Sequence, residues 1–307
     1  MMNTTKTLIV IVGPTAIGKT DCSIWLAKYF KTSILSADSR QFYKEISIGT
    51  AKPTPEEMNG VPHYFIDSHS ITADFNVNDF EKEALTQLDH IFKSNDYAIL
   101  VGGSGMYVDA LCYGMDDAMP DPDENIRTRL NNQLAIAGIE SLQEELKTLD
   151  PVFYHEIDLK NSNRLMRAIE VCLITGQPYS TLRKGIIKKR PFNIVRIGLE
   201  KEREVIYDRI NKRVDIMMAN GLLDEVKSVY KFRNQNALKT VGYRELFDYL
   251  DQKITLEEAV EKIKVNSRRY AKRQLTWFKK DKNTHWFLPE QQEEMINFIR
   301  TYKKRNG

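Results

Sequence analysis

The 307-residue sequence contains only three cysteines, Cys22, Cys112 and Cys172, and no two of them form a CxxC pair. That argues against both a disulfide framework and a zinc knuckle. Its five histidines, His63, His69, His90, His155 and His285, show no metal-ligand spacing and read as structural or surface groups. After Met-Met-Asn-Thr-Thr-Lys the apolar run extends only from Leu8 to Val12 before Gly13-Pro14. It is too short for the core of a secretory signal, and no stretch is long enough to span a bilayer. A cytoplasmic protein without a membrane partner is expected. There is no internal repeat, no low-complexity tract and little surplus charge: the formal net charge of +3 permits a nucleic-acid partner only if the charge is clustered.

What remains is a globular composition, long enough for one large domain or two small ones. Thr7 to Val12 is a continuous apolar run, as in a strand buried on both faces. A helix is expected over Asp21 to Phe30 and strands over Ser33 to Ala37, Tyr64 to Ile66 and Tyr97 to Val101. Asp79 to Lys93 reads as a helix with Phe80, Ala84, Leu88 and Ile91 on one face. Alternating strands and helices imply a parallel α/β sheet. Gly114 to Asp123 is rich in acids and breakers and reads as a linker. From Glu124 to about Gln177 every periodic segment is helical, Arg183 to Arg190 is a basic stretch, and Phe192 to Leu199 returns to strand character. From Arg203 onward the chain again reads as helix. The expected architecture is a P-loop α/β core over 1–117, a helical insertion over 118–190, and over 191–307 the rest of the core with a helical, basic C-terminal region.

Gly13-Pro14-Thr15-Ala16-Ile17-Gly18-Lys19-Thr20 matches G-x-x-x-x-G-K-[ST] at every fixed position, between an expected strand and an expected helix. Glycines let the backbone wrap an anion, the helix N-terminus presents N–H groups to it, Lys19 adds a mobile positive charge, and the Thr20 hydroxyl can ligate Mg²⁺. A polyphosphate ligand follows; its identity does not, so ATP binding stays open. A motor-type NTPase wants a carboxylate ending a later strand, whereas Tyr97 to Val101 runs into Gly102-Gly103-Ser104. The carboxylate instead ends the second strand, at Asp38. Strand carboxyl ends in such sheets converge on the ligand crevice, so Asp38 is placed to act as a base on an acceptor; a turn cap is the competing reading.

These residues carry a family resemblance. Ser36 to Lys44 (SADSRQFYK), followed by Ile48 to Pro53 (IGTAKP), resembles the signature of the tRNA dimethylallyltransferases. Gly60 to Asp67, Leu100 to Tyr107 (LVGGSGMY), Arg164 to Val171 (RLMRAIEV), Gly221 to Val226, Val241 to Leu246 and Tyr270 to Trp277 (YAKRQLTW) continue the match in order along nearly the whole chain. Arg40 and Phe42 stand where many relatives have Met and Val, Ser104 replaces a usual Thr, and Asn161-Ser162-Asn163-Arg164 lacks the more usual Gln-Arg or Arg-Arg pair.

The resemblance implies transfer of a dimethylallyl group from its diphosphate to the exocyclic amine of the adenine 3′-adjacent to the anticodon of tRNA. It implies that the loop Gly13 to Thr20 holds the diphosphate with Mg²⁺, and that Arg213, bordering the stripe Ile206, Ile210, Val214 and Met217, assists its departure. Asp38 would take the amine proton, with Thr15 and Ser104 as further catalytic hydroxyls. The tRNA-binding residues implied are Asp38, Ser39, Arg40, Gln41 and Ser104, with Arg127, Asn163, Arg164 and Arg167 of the insertion. Lys262 to Lys282 adds nine basic residues against one acid, Asp281, interleaved with Tyr270, Trp277 and Phe278. Such a stripe reads either as an RNA-backbone footprint or as a solvated helix with core aromatics. A monomer is expected. Three alternatives stay open: a prenyltransferase of free adenine nucleotides, an ATP-dependent small-molecule kinase, and an RNA-binding protein with a vestigial loop.

Overall fold

The computed structural model describes residues 6–116, 119–185 and 187–306, with side chains through Tyr302. Met1 to Thr5, the expected first boundary at 117 and 118, and Ile186 of the basic stretch lie outside the described residues. The described chain forms two compact units, one up to Cys112 and again from Lys189, the other Tyr113–Lys188. The second unit spans 113–188, where the sequence reading sets an insertion over 118–190.

The larger unit is built on a parallel sheet of β1 (Thr7–Val12), β2 (Ile34–Ser36), β3 (His63–Tyr64), β4 (Tyr97–Val101), β5 (Asn193–Leu199) and β6 (Thr284–Phe287), in the order β3-β2-β4-β1-β5-β6. Every residue of β1 is buried, because β1 is central: Thr7 pairs with Tyr97 on one side and Asn193 on the other. Helices α1 (Lys19–Phe30), α2 (Pro55–Met58), α3 (Val77–Ser94) and α4 (Gly105–Tyr113) follow the early strands. In α3 the expected face of Phe80, Ala84, Leu88 and Ile91 is buried, and Asn76 with Asp79 forms a capping box that fixes its start.

Two expectations need correcting. The strand expected over Tyr64 to Ile66 is His63–Tyr64, because Phe65 and Asp67 adopt positive φ (64° and 52°), which ends an extended run. The region beyond Arg203 is not wholly helical: β6 adds an edge strand paired to β5, Arg196 against Thr284 through Leu199 against Phe287. Its residues, Thr284-His285-Trp286-Phe287, run polar-polar-apolar-apolar instead of alternating, so nothing local announces it.

The insertion unit packs α5 (Glu124–Leu149), α6 (Pro151–Glu156), α7 (Ser162–Thr175) and α8 (Tyr179–Leu182). Its core joins Leu130, Leu142, Leu146, Phe153, Leu165, Ala168 and Ile169. Asn161 caps the start of α7 and the left-handed Gly176 ends it. After β5 come α9 (Arg203–Ala219), α10 (Leu222–Val229), α11 (Tyr243–Leu250), α12 (Leu256–Phe278) and, beyond β6, α13 (Gln292–Asn306). Among the described residues no helix is long and apolar enough to cross a membrane. All three cysteines are free and buried.

Candidate active site

Strand β1 delivers the phosphate loop and α1 receives it. Gly13 and Gly18 take φ of 150° and 105°, a region costly for any side chain, and a Cβ on Gly13 would lie 2.8 Å from the Leu199 carbonyl oxygen. Helix α1 begins at Lys19, ahead of the start at Asp21 that periodicity suggests, so its unpaired N–H groups open onto the loop. Lys19 Nζ donates to the carbonyl oxygens of Gly13 (3.1 Å) and Pro14 (2.8 Å). Burial pushes the Lys19 ammonium down to about 8; the Asp38 carboxylate draws it up and the Arg213 cation adds to the lowering. Thr15, Ala16, Gly18, Lys19 and Thr20 line a cleft of about 680 Å³, whereas Pro14 and Ile17 are buried.

Asp38 lies just past β2. Its Oδ1 accepts the Arg40 N–H at 3.0 Å, so it does cap a turn. The same carboxylate lines the large cleft, so capping the turn does not take it away from a ligand bound there. Beside it Gly102 packs so tightly that a Cβ would lie 2.3 Å from the Ala37 carbonyl oxygen. A second cleft, of about 300 Å³, adjoins the first, and Thr15, Asp38, Arg213, Met217 and Tyr270 line both. One cleft is walled by the phosphate loop and the cations Arg209, Lys212 and Arg213. The other is walled by Ser39, Arg40, Lys239, Arg244 and Arg273. Arg213 comes from α9, whose Ile206, Ile210 and Val214 are buried; its Nη1 reaches Thr15 Oγ1 at 3.4 Å, and burial pushes the guanidinium's pKa down.

The remaining residues singled out in the sequence divide. Ser104 Oγ accepts the Ser39 N–H at 2.9 Å and donates to Ser39 Oγ at 3.1 Å, which ties the turn after β4 to the segment after Asp38. Arg40 donates to the Asn236 carbonyl at 2.9 Å. The Gln41 side-chain amide donates to the carbonyls of Thr50 and Ala51 at 3.2 Å each, so Gln41 shapes the wall of the large cleft. Within the insertion, Arg127 and Arg167 both pair with Glu170, which is 1% exposed, at 2.8 and 2.6 Å. Asn163 and Arg164 are exposed at the start of α7.

The basic helix α12 is a composite. Phe278 is core, and Trp277 donates to Asp109 Oδ2 at 2.7 Å. Tyr270 lines both clefts, and Arg268 is engaged with Asn211 Oδ1 at 2.5 Å. Arg269, Lys272 and Arg273 are exposed.

Two cleft residues escape a reading of the sequence for chemistry. Burial pushes the Tyr270 hydroxyl up to about 12, with the Asp38 charge adding to the rise. Gln274, one helical turn on, is 5% exposed and accepts the Thr15 N–H at 2.8 Å. Its one sequence signal is an amide set among the buried positions Ala271 and Phe278 of α12. Among the described residues no group of three or more His, Cys, Asp or Glu is placed to hold a metal. The site therefore offers backbone N–H groups and cations for an anionic leaving group, with a carboxylate in the same cleft for a proton.

Comparison with known proteins fits this chemistry. The family model for IPP transferase matches residues 41–281. The tRNA dimethylallyltransferase 1 of Phocaeicola vulgatus is 49% identical, over 95% of this chain and 97% of that protein. The tRNA dimethylallyltransferase of Flavobacterium johnsoniae is 50% identical, over 96% and 97%. The crystal structure of the full-length tRNA isopentenylpyrophosphate transferase from Bacillus halodurans superposes with a TM-score of 0.73 at 40% identity, covering 98% of this chain and 97% of that one. A eukaryotic dimethylallyltransferase captured acting on tRNA superposes with a TM-score of 0.73 at 27% identity, over 89% of this chain and 69% of that one. With a P-loop facing a carboxylate, matches along nearly its full length and the same parallel α/β architecture, the chain belongs to the tRNA dimethylallyltransferase (IPP transferase) family.

Proposed function

We propose that this enzyme transfers a dimethylallyl group from dimethylallyl diphosphate to the exocyclic amine of the adenine 3′-adjacent to the anticodon in tRNA, releasing diphosphate. One observation carries the reading: two clefts share the wall of Thr15, Asp38 and Arg213, one lined by the phosphate loop and the other by cations and the Ser39-Arg40 segment. Donor and acceptor then enter from different clefts and meet at Asp38.

In this reading the diphosphate lies against the loop N–H groups, Lys19 and Arg213. The bond from the allylic carbon to the diphosphate oxygen breaks, and its electron pair leaves with the diphosphate. The adenine nitrogen forms the new bond to that carbon, and its proton passes to Asp38. An exocyclic amine is a poor nucleophile, so stabilising the leaving group dominates; each preorganised charge contributes a few kcal/mol. Thr15 orients Arg213, and Ser104 fixes Ser39 beside the base. Mg²⁺ fits the cleft, whose lining includes the Thr20 hydroxyl and the Asp21 and Asp38 carboxylates, with phosphate and water oxygens to complete its shell. The Thr20 hydroxyl would hold it, and its charge would offset that of the diphosphate.

The adenine must leave its stack to reach a buried carbon. The segment Asp38 to Gln41 receives it. Asn163 and Arg164 of the insertion meet the RNA, while Arg127 and Arg167 hold their helices through Glu170 and offer only their outer faces. A monomer suffices for this chemistry, because every group named comes from one chain.

Label transfer from dimethylallyl diphosphate to an anticodon stem-loop, with Mg²⁺ and no nucleotide, tests the proposal. Transfer to the hairpin with none to AMP, ADP or ATP is expected. Comparable prenylation of AMP would favour the free-nucleotide reading, and a requirement for ATP would favour a kinase.

A further inference from the structure

Gln274 sits 5% exposed on α12, among the buried positions Ala271 and Phe278. A primary amide is costly to bury unless its groups are matched, and here both are. Its Oε1 accepts the backbone N–H of Thr15, in the phosphate loop, at 2.8 Å. Its Nε2 donates to the Gly103 carbonyl, in the turn after β4, at 2.9 Å. The next residue in that turn, Ser104, accepts the Ser39 N–H and donates to the Ser39 hydroxyl. Ser39 adjoins Asp38. One side chain thus lies between the loop assigned to the leaving group and the turn whose Ser104 holds the base's neighbour, and it touches neither reacting atom.

We propose that Gln274 is a positioning residue that holds the phosphate loop and the Asp38 segment in register. The inference rests on the reading of the site given above. Thr15 and Gly103 belong to loops following different strands, β1 and β4, and the α12 amide joins them directly. Loss of the amide would leave the Thr15 N–H unmatched and the Gly103 carbonyl with only the longer contact from the Tyr270 hydroxyl, at 3.5 Å, so both loops would be free to shift. A shift of about 1 Å between reacting groups is enough to slow chemistry on the order of 10²-fold, while each cleft still binds its own ligand. The expected signature is a rate defect without a binding defect.

Two variants approach the amide from opposite sides. Gln274→Met keeps the side-chain length and removes both hydrogen bonds. Gly103→Ala leaves Gln274 in place, but its Cβ would lie 2.2 Å from Gln274 Nε2 and so displaces the amide. Each is expected to lower the single-turnover rate on an anticodon hairpin by at least ~10-fold. KM for dimethylallyl diphosphate and hairpin affinity should stay within about threefold of wild type, less than one tenfold step of free energy. Amide exchange at Thr15, read by NMR, should accelerate in Gln274→Met, and this readout needs no turnover. Wild-type rates in either variant, losses confined to KM, or an unchanged Thr15 amide would each overturn the proposal. If Gln274→Met fails to fold, Gly103→Ala decides the matter through its rate and KM. A wild-type protein that does not prenylate the hairpin overturns the functional reading instead, and Thr15 exchange still judges the positioning role.

Discussion

Arg213 directs its guanidinium at the hydroxyl of Thr15, Nη1 to Oγ1 3.4 Å, and so brings a helix that follows the insertion onto the N-terminal phosphate loop. If this cation stabilises the departing diphosphate, Arg213→Ala should cut the single-turnover rate by roughly 10²- to 10³-fold, the range seen when one preorganised donor is removed. The melting temperature should not fall, because burial already disfavours the Arg213 charge. A variant with an unchanged rate and a raised KM would make Arg213 a ground-state binding group.

Asp38→Asn keeps the shape and the acceptor for the Arg40 N–H but cannot take a proton. Affinities for tRNA and diphosphate should hold, and the chemical step should slow by ~10²-fold or more. Unchanged single-turnover kinetics with weaker tRNA binding would reduce Asp38 to a turn cap.

Lys19 gives a pH dependence whose sign is fixed. Burial lowers its pKa to about 8 in the folded chain, with Asp38 opposing and Arg213 reinforcing the shift. The ammonium binds diphosphate and the neutral amine does not, so affinity should be full below that value and decline as pH rises through it. KM for dimethylallyl diphosphate, followed across about one and a half pH units on either side, should turn upward near that pKa. Lys19→Arg should lack that upturn, because arginine stays charged. An identical profile in the two proteins would assign the pH dependence to another group.

Arg127 and Arg164 should behave oppositely. Neutralising Glu170, the shared buried partner of Arg127 and Arg167, leaves both cations without a counter-charge, although Arg167 keeps the Pro120 carbonyl; breaking a buried pair costs about 3–5 kcal/mol, discounted here because Arg127 is half exposed. Glu170→Gln should therefore lower the melting temperature, and Arg127→Ala should do so less. Arg164→Ala should leave the melting temperature alone and weaken tRNA binding. Calorimetry alongside filter binding separates the effects, and a stability loss in Arg164→Ala would show a structural role there too.

Neutralising Arg269, Lys272 and Arg273 together should weaken tRNA binding and flatten its salt dependence. The log–log slope should shrink by roughly 0.7–0.9 for each RNA phosphate that these side chains no longer neutralise. Arg268 is left out because it is bonded to Asn211. Binding curves across a range of salt concentrations with an unaltered slope would show that this face of α12 is merely solvated.

The phosphate loop and Asp38 are legible in the sequence because their chemistry is tied to residue type and short spacing. The strands before each are apolar runs that announce themselves. The basic helix misleads in part, since a charge pattern says nothing of partners: Arg268 finds Asn211 on another helix, and Trp277 finds Asp109. The same limit hides the pairing of Arg127 with Glu170, 43 residues away, although the spacing of Arg167 and Glu170 is readable as one helical turn. Gln274 is invisible as chemistry because its matched groups are backbone atoms, the Thr15 N–H and the Gly103 carbonyl, which carry no sequence signal.

The placement of β1 has a consequence for synthesis. Its neighbours are β4 on one side and β5 on the other, and β5 is translated only after the insertion. The hydrogen bond that secures Thr15 arrives later still, spanning 259 positions to Gln274. A nascent chain emerging from the ribosome therefore exposes its phosphate loop long before it can complete the pocket around it. Fragments halted anywhere before α12 should be catalytically silent, so premature termination yields no partial enzyme able to consume an allylic diphosphate without its tRNA.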